Sequence, residues 1–293
     1  MYQNVTVIGA GRMGSALASA LFNKGFFTTV WNRTASKTEP LARLGLRIAP
    51  SLVEAINAAD VIILNVLNYH SVRQLLEVPD IESALHGKIL VQLTTGTPDE
   101  AREMESWAQS RGISYLEGAI LSYPMNIGKP ETAVLYSGPE EIFNRVKSVL
   151  LAFGGNAMLV GNEIGQASAL DIAVMAAFCV NTMFGFLYGY IVCEGERISA
   201  AQYMGFVKSL MPAVEGVLTD MCSKLQKKDY GGDQASLEAW SVAPRELVAW
   251  CGQHGVDHGM ITPQLALFEK AIKSGNGQLD FSYFYKVLKG ATT

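Results

Sequence analysis

Three glycines stand in the run Gly9-Ala10-Gly11-Arg12-Met13-Gly14. A GxGxxG pattern means little alone. Here the apolar stretch NVTVI precedes it, and RMGSALASALFNKG, which reads as a helix closed by Gly25, follows it. In that strand–turn–helix setting Gly9 permits a tight turn. Gly11 lets the backbone approach a pyrophosphate, and Gly14 lets helix and strand pack closely. The free N–H groups at the helix start, and its dipole, favour phosphate charge. The spacing predicts a dinucleotide on the Gly9–Gly14 turn, against Arg12 and Met13.

The end of the second strand, FFTTVWNR, selects the dinucleotide. An NAD site places Asp or Glu there for the ribose 2′-hydroxyl. This chain reads Trp31-Asn32-Arg33-Thr34-Ala35-Ser36-Lys37, with no acid. Arg33 and Lys37 are cations, and Asn32 and Thr34 are hydrogen-bonding groups. Such a set suits a 2′-phosphate, so the expected cofactor is NADPH.

A second chemical candidate is Asp171. It heads Ile172–Cys193, 22 residues without a charge. A carboxylate beside so much apolar surface is costly unless paired or protonated. Burial would raise its pKa and make it an acid near neutrality. An Asp near a helix N-terminus serves equally as a dipole partner or cap, and the residues alone leave both readings open.

The elements that must position these groups alternate in the first half. Strand-like runs (NVTVI, FFTTVW, DVIILNV, GKILVQLTTG, ISYLEGAILSYP, TAVLYSG, NAMLVG) are separated by helical ones, among them SKTEPLARLG, SLVEAINA, TPDEAREMESWAQSRG and PEEIFNRVKSVLLAFGG. That alternation predicts an α/β domain with a mostly parallel sheet covered on both faces. After Gly161 only helical patterns follow: Glu163–Cys193, Ser199–Lys224 interrupted or kinked at Pro212, Gln234–Gln253 with Pro244 inside, Thr262–Lys273 and Asp280–Leu288, with a loop at Lys227–Asp233. The expected organisation is a nucleotide-binding domain over 1–162, a long interdomain helix over 163–194 and an all-α domain over 195–293.

Composition bounds the partners. The 293 residues carry a net charge of −4, which gives no broad basic surface and excludes nucleic acid as the expected partner. The four cysteines form no CxxC and read as reduced thiols of a cytoplasmic protein. No signal peptide is read at the N-terminus. The apolar run is long enough to span a bilayer, and Gly185 and Gly189 make a GxxxG pair. Its C-terminal flank, EGER, gives no orientation by charge. A buried helix, wrapped most easily in a homodimer, is the expectation, not a membrane span. Cys251, His254 and His258 lack a fourth ligand, so no metal site is expected. His70 and His86 read as surface residues.

Several segments together resemble the imine reductases and reductive aminases, a branch of the β-hydroxyacid dehydrogenase superfamily: VTVIGAGRMGSALA, TTVWNRTASK, QLTTGTP, EGAILSYPMNIG, AVLYSG and GNEIGQASALDIA. They span positions 5–173. The resemblance implies a Rossmann domain, an interdomain helix and a helical bundle exchanged between two subunits. Each active site would then lie between the nucleotide domain of one chain and the helices of the other. It implies NADPH-dependent reduction of imines, with Asp171 as proton donor or iminium stabiliser.

The resemblance also locates supporting residues. Thr94 and Thr95 would lie at the nicotinamide, although reductive aminases often carry Asn at the Thr95 position. Val66 and Leu67 would pack on the cofactor. Tyr123, with Met175 and Cys179 on the helical face of Asp171, would line the substrate pocket. Leu210, Met211 and Trp240 would come from the partner chain. Two alternatives stand beside this reading. One is a β-hydroxyacid dehydrogenase acting on a small 3-hydroxy acid, opposed by the absence of any Lys in Glu163–Cys193 and by GAILSYP in place of a glycine-rich carboxylate site. The other is a non-catalytic NADP(H) sensor.

Overall fold

The computed structural model describes residues 3–232 and 234–290. Met1, Tyr2, Asp233 and residues 291–293 lie outside the described residues, so the ends of the sequence-drawn domains and the last residue of the Lys227–Asp233 loop do too. The chain divides into two compact units that meet at Leu187 and Tyr188.

The first unit is built on one sheet of eight strands: β1 (Asn4–Ile8), β2 (Phe27–Trp31), β3 (Arg47–Ile48), β4 (Val61–Leu64), β5 (Ile89–Gln92), β6 (Ser114–Ile120), β7 (Ala133–Ser137) and β8 (Asn156–Gly161). Their order is β3-β2-β1-β4-β5-β6-β7-β8. All pairings are parallel except β6 with β7. A parallel return needs a crossover of a dozen or more residues, usually helical. The β6–β7 connection carries only a 3₁₀ turn, Pro124–Asn126, so the chain doubles back as an antiparallel neighbour.

Both faces of the sheet are buried, which is why its strands are apolar at successive positions. On β4, Val61 and Ile63 join one core, while Ile62 and Leu64 join the other. The helices that cover these faces are α1 (Arg12–Asn23), α2 (Glu39–Arg43), α3 (Leu52–Asn57), α4 (Tyr69–Leu76), α5 (Pro79–Leu85), α6 (Pro98–Gln109) and α7 (Glu140–Leu150). Thr97 caps α6 in a reciprocal capping box with Glu100, and Pro98 occupies its first turn. SKTEPLARLG forms a 3₁₀ turn, Ala35–Thr38, before α2 rather than one helix.

A single helix then runs from Gln166 to Gly195. Its first part, α8 (Gln166–Asp171), is α-helical. Ile172–Val180 is π-helical, with i→i+5 bonding, and Asn181–Gly195 returns to α geometry. No residue from Ile172 to Gly195 is buried within the chain. The expectation of burial is therefore not met inside one chain.

The second unit is helical, as its sequence predicts. Ala200–Lys227 starts in a Ser199–Gln202 capping box and continues through Pro212 as one helix, so of the interruption or kink expected there the interruption is absent. One proline removes one ladder bond, and a helix of this length retains the rest. The Gln234–Gln253 expectation splits into Leu237–Trp240 and Val242–His254, which puts Pro244 in a first turn, where proline fits. Leu237, Phe268, Ala271, Tyr283 and Phe284 form its core. Lys224 bonds Asp280 at 3.1 Å and the Gly231 carbonyl at 3.1 Å.

Phe153 is fully buried in the core beneath β1, β4 and β7. Phe153→Ala is expected to lower stability by about 3–5 kcal/mol through lost burial and the cavity left behind. Urea unfolding followed by circular dichroism checks this.

Candidate active site

Backbone contacts hold the glycine turn. β1 ends at Ile8, and Gly9 follows at φ +106°, where only glycine is unstrained. A Cβ on Gly9 would run into the Asn65 carbonyl oxygen, and one on Gly14 into the Gly9 carbonyl oxygen. The end of β1, the residue after β4 and the first turn of α1 thus meet at backbone distance. Gly11 faces open space instead, with nothing within 4 Å of a would-be Cβ. It begins α1 without a side-chain cap, so the helix start is left open to a phosphate.

Beside the turn lies a cleft of 430 Å³. Gly9, Gly11, Arg12 and Met13 line it from the turn. Trp31, Asn32, Arg33, Thr34 and Lys37 line it from the end of β2, and Asn65, Val66, Leu67, Ser71 and Leu75 from the end of β4 and from α4. The cleft opens where β1 is flanked by β2 on one side and β4 on the other, the switch point at which doubly wound sheets bind ligands. Arg12, Arg33 and Lys37 put three cations on the lining, and no carboxylate is among the lining residues. An open glycine edge, an uncapped helix start and this charge balance fit a dinucleotide with an added phosphate.

Asn32 lines the cleft, and its amide is hydrogen-bonded to the protein through both the oxygen and one N–H. Oδ1 accepts from Ala10 N at 2.9 Å, and Nδ2 donates to the Thr34 carbonyl at 2.9 Å. It ties the glycine turn to the loop that carries Arg33 and Lys37. The two threonines after β5 lie outside the cleft lining and differ from each other. Thr94 is buried, and its Oγ1 accepts from Val66 N at 3.1 Å. It braces the loop after β4, which Asn65 also holds by donating Nδ2 to the Leu93 carbonyl at 2.6 Å. Thr95 is exposed and is the hydroxyl free to reach a ligand.

Asp171 closes α8 and is half-buried. Desolvation by burial holds its carboxyl above the usual aspartate range. The helix widens directly after it. Asn181 Nδ2 donates to the Ala177 carbonyl at 2.8 Å and Thr182 Oγ1 to the Phe178 carbonyl at 2.8 Å, so side chains serve carbonyls where the π segment ends. Met175 and Cys179 follow Asp171 at steps of four residues inside this π-helical stretch. Met175 is 38% exposed and Cys179 half-exposed.

Of the remaining sequence-predicted pocket residues, Tyr123 follows β6 and is exposed. Leu210, Met211 and Trp240 belong to the second unit and are also exposed, with Trp240 edge-on to Phe281 at 5.8 Å. Among the described residues, no group of three or more His, Cys, Asp or Glu side chains is placed to hold a metal ion. His254 stacks on Trp250 at 4.1 Å, and His258 pairs with Thr262 at 2.8 Å. Sequence reasoning missed Trp31, Asn65, Ser71 and Leu75. The signal for Asn65 was available as a polar residue ending the buried run VIIL, at the carboxyl end of a central strand. Ser71 and Leu75 reach the cleft only because α4 turns back over it.

Comparison with known proteins agrees with this geometry along the whole chain. Residues 4–161 match the NAD binding domain of 6-phosphogluconate dehydrogenase, and residues 163–290 match the NADPH-dependent reductive aminase-like C-terminal domain. The NADPH-dependent reductive aminase of Aspergillus oryzae is 31% identical, over 99% of this chain and 98% of that protein. The imine reductase from Myxococcus stipitatus, solved in complex with NADP+, shares 40% identity and a TM-score of 0.91 over 97% of this chain and 99% of its own. The reductive aminase from Aspergillus terreus, solved with NADPH and ethyl levulinate, shares 31% identity and a TM-score of 0.89 over 98% of this chain and 100% of its own. The chain belongs to the family of NADPH-dependent imine reductases and reductive aminases, oxidoreductases that act on C=N bonds.

Proposed function

We propose that this protein reduces the C=N bond of small, largely apolar cyclic imines to amines with NADPH, and that Asp171 is its proton donor. The observation that carries the reading is a half-buried carboxyl, raised by burial alone, on a helix from Gln166 to Gly195 that has no lysine. A lysine there would suit an alcohol; an acid suits a basic nitrogen. Bound NADPH supplies the hydride. Asp171 in its protonated form donates to the imine nitrogen, and the substrate becomes an iminium with an electron-poor carbon. The carboxylate left behind stabilises that cation. Once the carbon has gained the hydride, the nitrogen is a neutral amine, and Asp171 takes a proton back from water.

Arg33 and Lys37 hold the 2′-phosphate, with Thr34 beside them. Asn32 fixes their loop and keeps its second Nδ2–H for the phosphate. Val66 and Leu67 pack on the cofactor, and Thr95 is the hydroxyl that meets its nicotinamide end or the amine. The protein works as a cytoplasmic homodimer in which Leu210, Met211 and Trp240 of a second copy complete the pocket against Tyr123, Met175 and Cys179. Support for the dimer comes from the long helix: Phe178, Met183, Phe184 and Leu187 are each at least 41% exposed in the single chain. That apolar stripe calls for a covering surface.

Asp171→Ala is expected to lower kcat for 2-methyl-1-pyrroline by about 10²–10⁴-fold with NADPH affinity retained, as for loss of a general acid. The pH profile carries the sign. The folded pKa is raised, so the donor is present below it and is lost as pH rises through it; kcat of the wild type falls across that window and Asp171→Asn loses this limb. Stopped-flow NADPH fluorescence against pH reads both.

Arg33→Ala and Lys37→Ala are each expected to raise the KM for NADPH about tenfold or more, leaving that for NADH nearly unchanged, as one charged hydrogen bond is lost. Steady-state kinetics with the two cofactors decide it.

Sedimentation is expected to give twice the 31.7 kDa chain mass. Phe184→Glu, which puts a charge on the apolar stripe, is expected to shift the species toward the monomer.

A further inference from the structure

The mechanism uses Asp171 but leaves a second, more deeply buried acid unexplained. Glu117 lies in the middle of β6 and is 1% exposed. Its register partner on β7 is Ser137. Oε2 accepts from Ser137 Oγ at 2.6 Å and from Gly165 N at 2.6 Å. Oε1 accepts from Ser168 N at 3.2 Å and from Ser168 Oγ. Ser137 Oγ in turn accepts from Ala167 N at 3.1 Å. The free N–H groups at the start of α8 are thus taken up by the sheet and not by a local cap.

The arrangement calls for an acceptor on both carboxyl oxygens. Two backbone N–H groups, of Gly165 and Ser168, point at different oxygens, and a backbone N–H cannot reverse its role. An amide would turn its NH2 donor toward one of them, whereas a carboxylate accepts at both. Burial pushes the Glu117 carboxyl up, while these hydrogen bonds and the Arg102 guanidinium pull it down, leaving it raised. Arg102 itself pairs with Asp99 at 2.5 Å, and a Cβ on Gly165 would meet the Arg102 guanidinium at 2.6 Å. The start of α8 therefore lies against α6 as well as β6.

Asp171 sits one turn beyond Ser168, and the π segment begins at the next residue, Ile172. Its helix is rigidly fastened on one side and widened on the other. We propose that Glu117 is a positioning residue for Asp171: by binding the first turn of α8 to the sheet, it sets the height and rotation at which the Asp171 carboxyl is presented. The proposal rests on Asp171 being the proton donor.

The test uses Glu117→Gln, which keeps size and shape, and Ser168→Ala, which removes one donor and leaves Glu117 intact. Three quantities are read: kcat with 2-methyl-1-pyrroline, the Kd for NADPH, and the ¹³C carboxyl titration of Asp171, assigned by its loss in Asp171→Asn. Glu117→Gln is expected to lower kcat about tenfold to a hundredfold, as for a small misplacement of a catalytic group. The NADPH Kd is expected to stay within about twofold, since the cleft contacts are untouched. The Asp171 midpoint is expected to fall toward the ordinary aspartate range, because a loosened helix start admits water. Ser168→Ala is expected to move both quantities the same way and less. In an Asp171→Ala background, Glu117→Gln is expected to cost nothing further, since both act on one step.

An additive loss in that background, or an equal loss of NADPH affinity, overturns the proposal. So does an unmoved Asp171 midpoint in both variants. If Glu117→Gln does not fold, Ser168→Ala decides. If the wild-type protein turns over no imine, the proposed function fails, and the Asp171 titration alone still decides whether Glu117 places it.

Discussion

The first unit is organised around a contact between backbones. Gly9 lies against the Asn65 carbonyl and Gly14 against the Gly9 carbonyl, with no room for a side chain at either place. That closeness brings three segments distant in sequence to one point: the turn after β1, the loop after β4 and the start of α1. The cleft follows from it. Asn32 joins this turn to the loop after β2, and Thr94 joins the loop after β4 to the end of β5. Each bond engages part of a polar group that the sequence would offer wholly to the ligand. What is left for the ligand is the open Gly11 edge, three cations and an uncapped helix start. Binding groups and bracing groups have similar chemistry here, and their hydrogen-bond partners separate them.

Asp171 is governed by a different constraint. On the proposed mechanism an acid that is to donate a proton needs a low-polarity setting, and one that is to meet a nitrogen needs a fixed place. Burial supplies the first, as the only cause of its raised pKa. The fixed place needs an anchor outside the helix, because a helix apolar along its length has few polar groups with which to hold itself in register. Glu117 accepts three hydrogen bonds from Gly165 and Ser168 at the start of the helix and a fourth from Ser137 on β7. Its own burial is costly, and the bonds offset that cost while tying two elements together.

Much of this was legible in the sequence because it is local. The glycine turn, the acid-free end of β2 and the alternation of strands and helices depend on spacings of a few residues, where physical rules are strongest. What escaped depends on distance along the chain. The donors to Glu117 stand 20, 48 and 51 residues away. Thr94 and Thr95 read alike, and only the fold turns one inward. The π segment was hidden for another reason: IAVMAAFCV is apolar at every position, so it has no periodicity from which a change of pitch could be read. The antiparallel β6–β7 pair follows from the missing helix between them, a cue that a strand-like reading of SYP obscured.

The apolar helix joins stability to chemistry. Alone, the chain exposes Ile172, Val174 and Met175 beside an acid whose protonation depends on being kept from water. Any surface that covers those side chains also strips water from Asp171 and raises its pKa further. Association driven by apolar burial would therefore strengthen the acid's hold on its proton at the same time as it closes the pocket. A charged helix face would gain solubility and lose this coupling. On the proposed mechanism, a long run without a charge would keep water from the Asp171 carboxyl and so favour its protonated form.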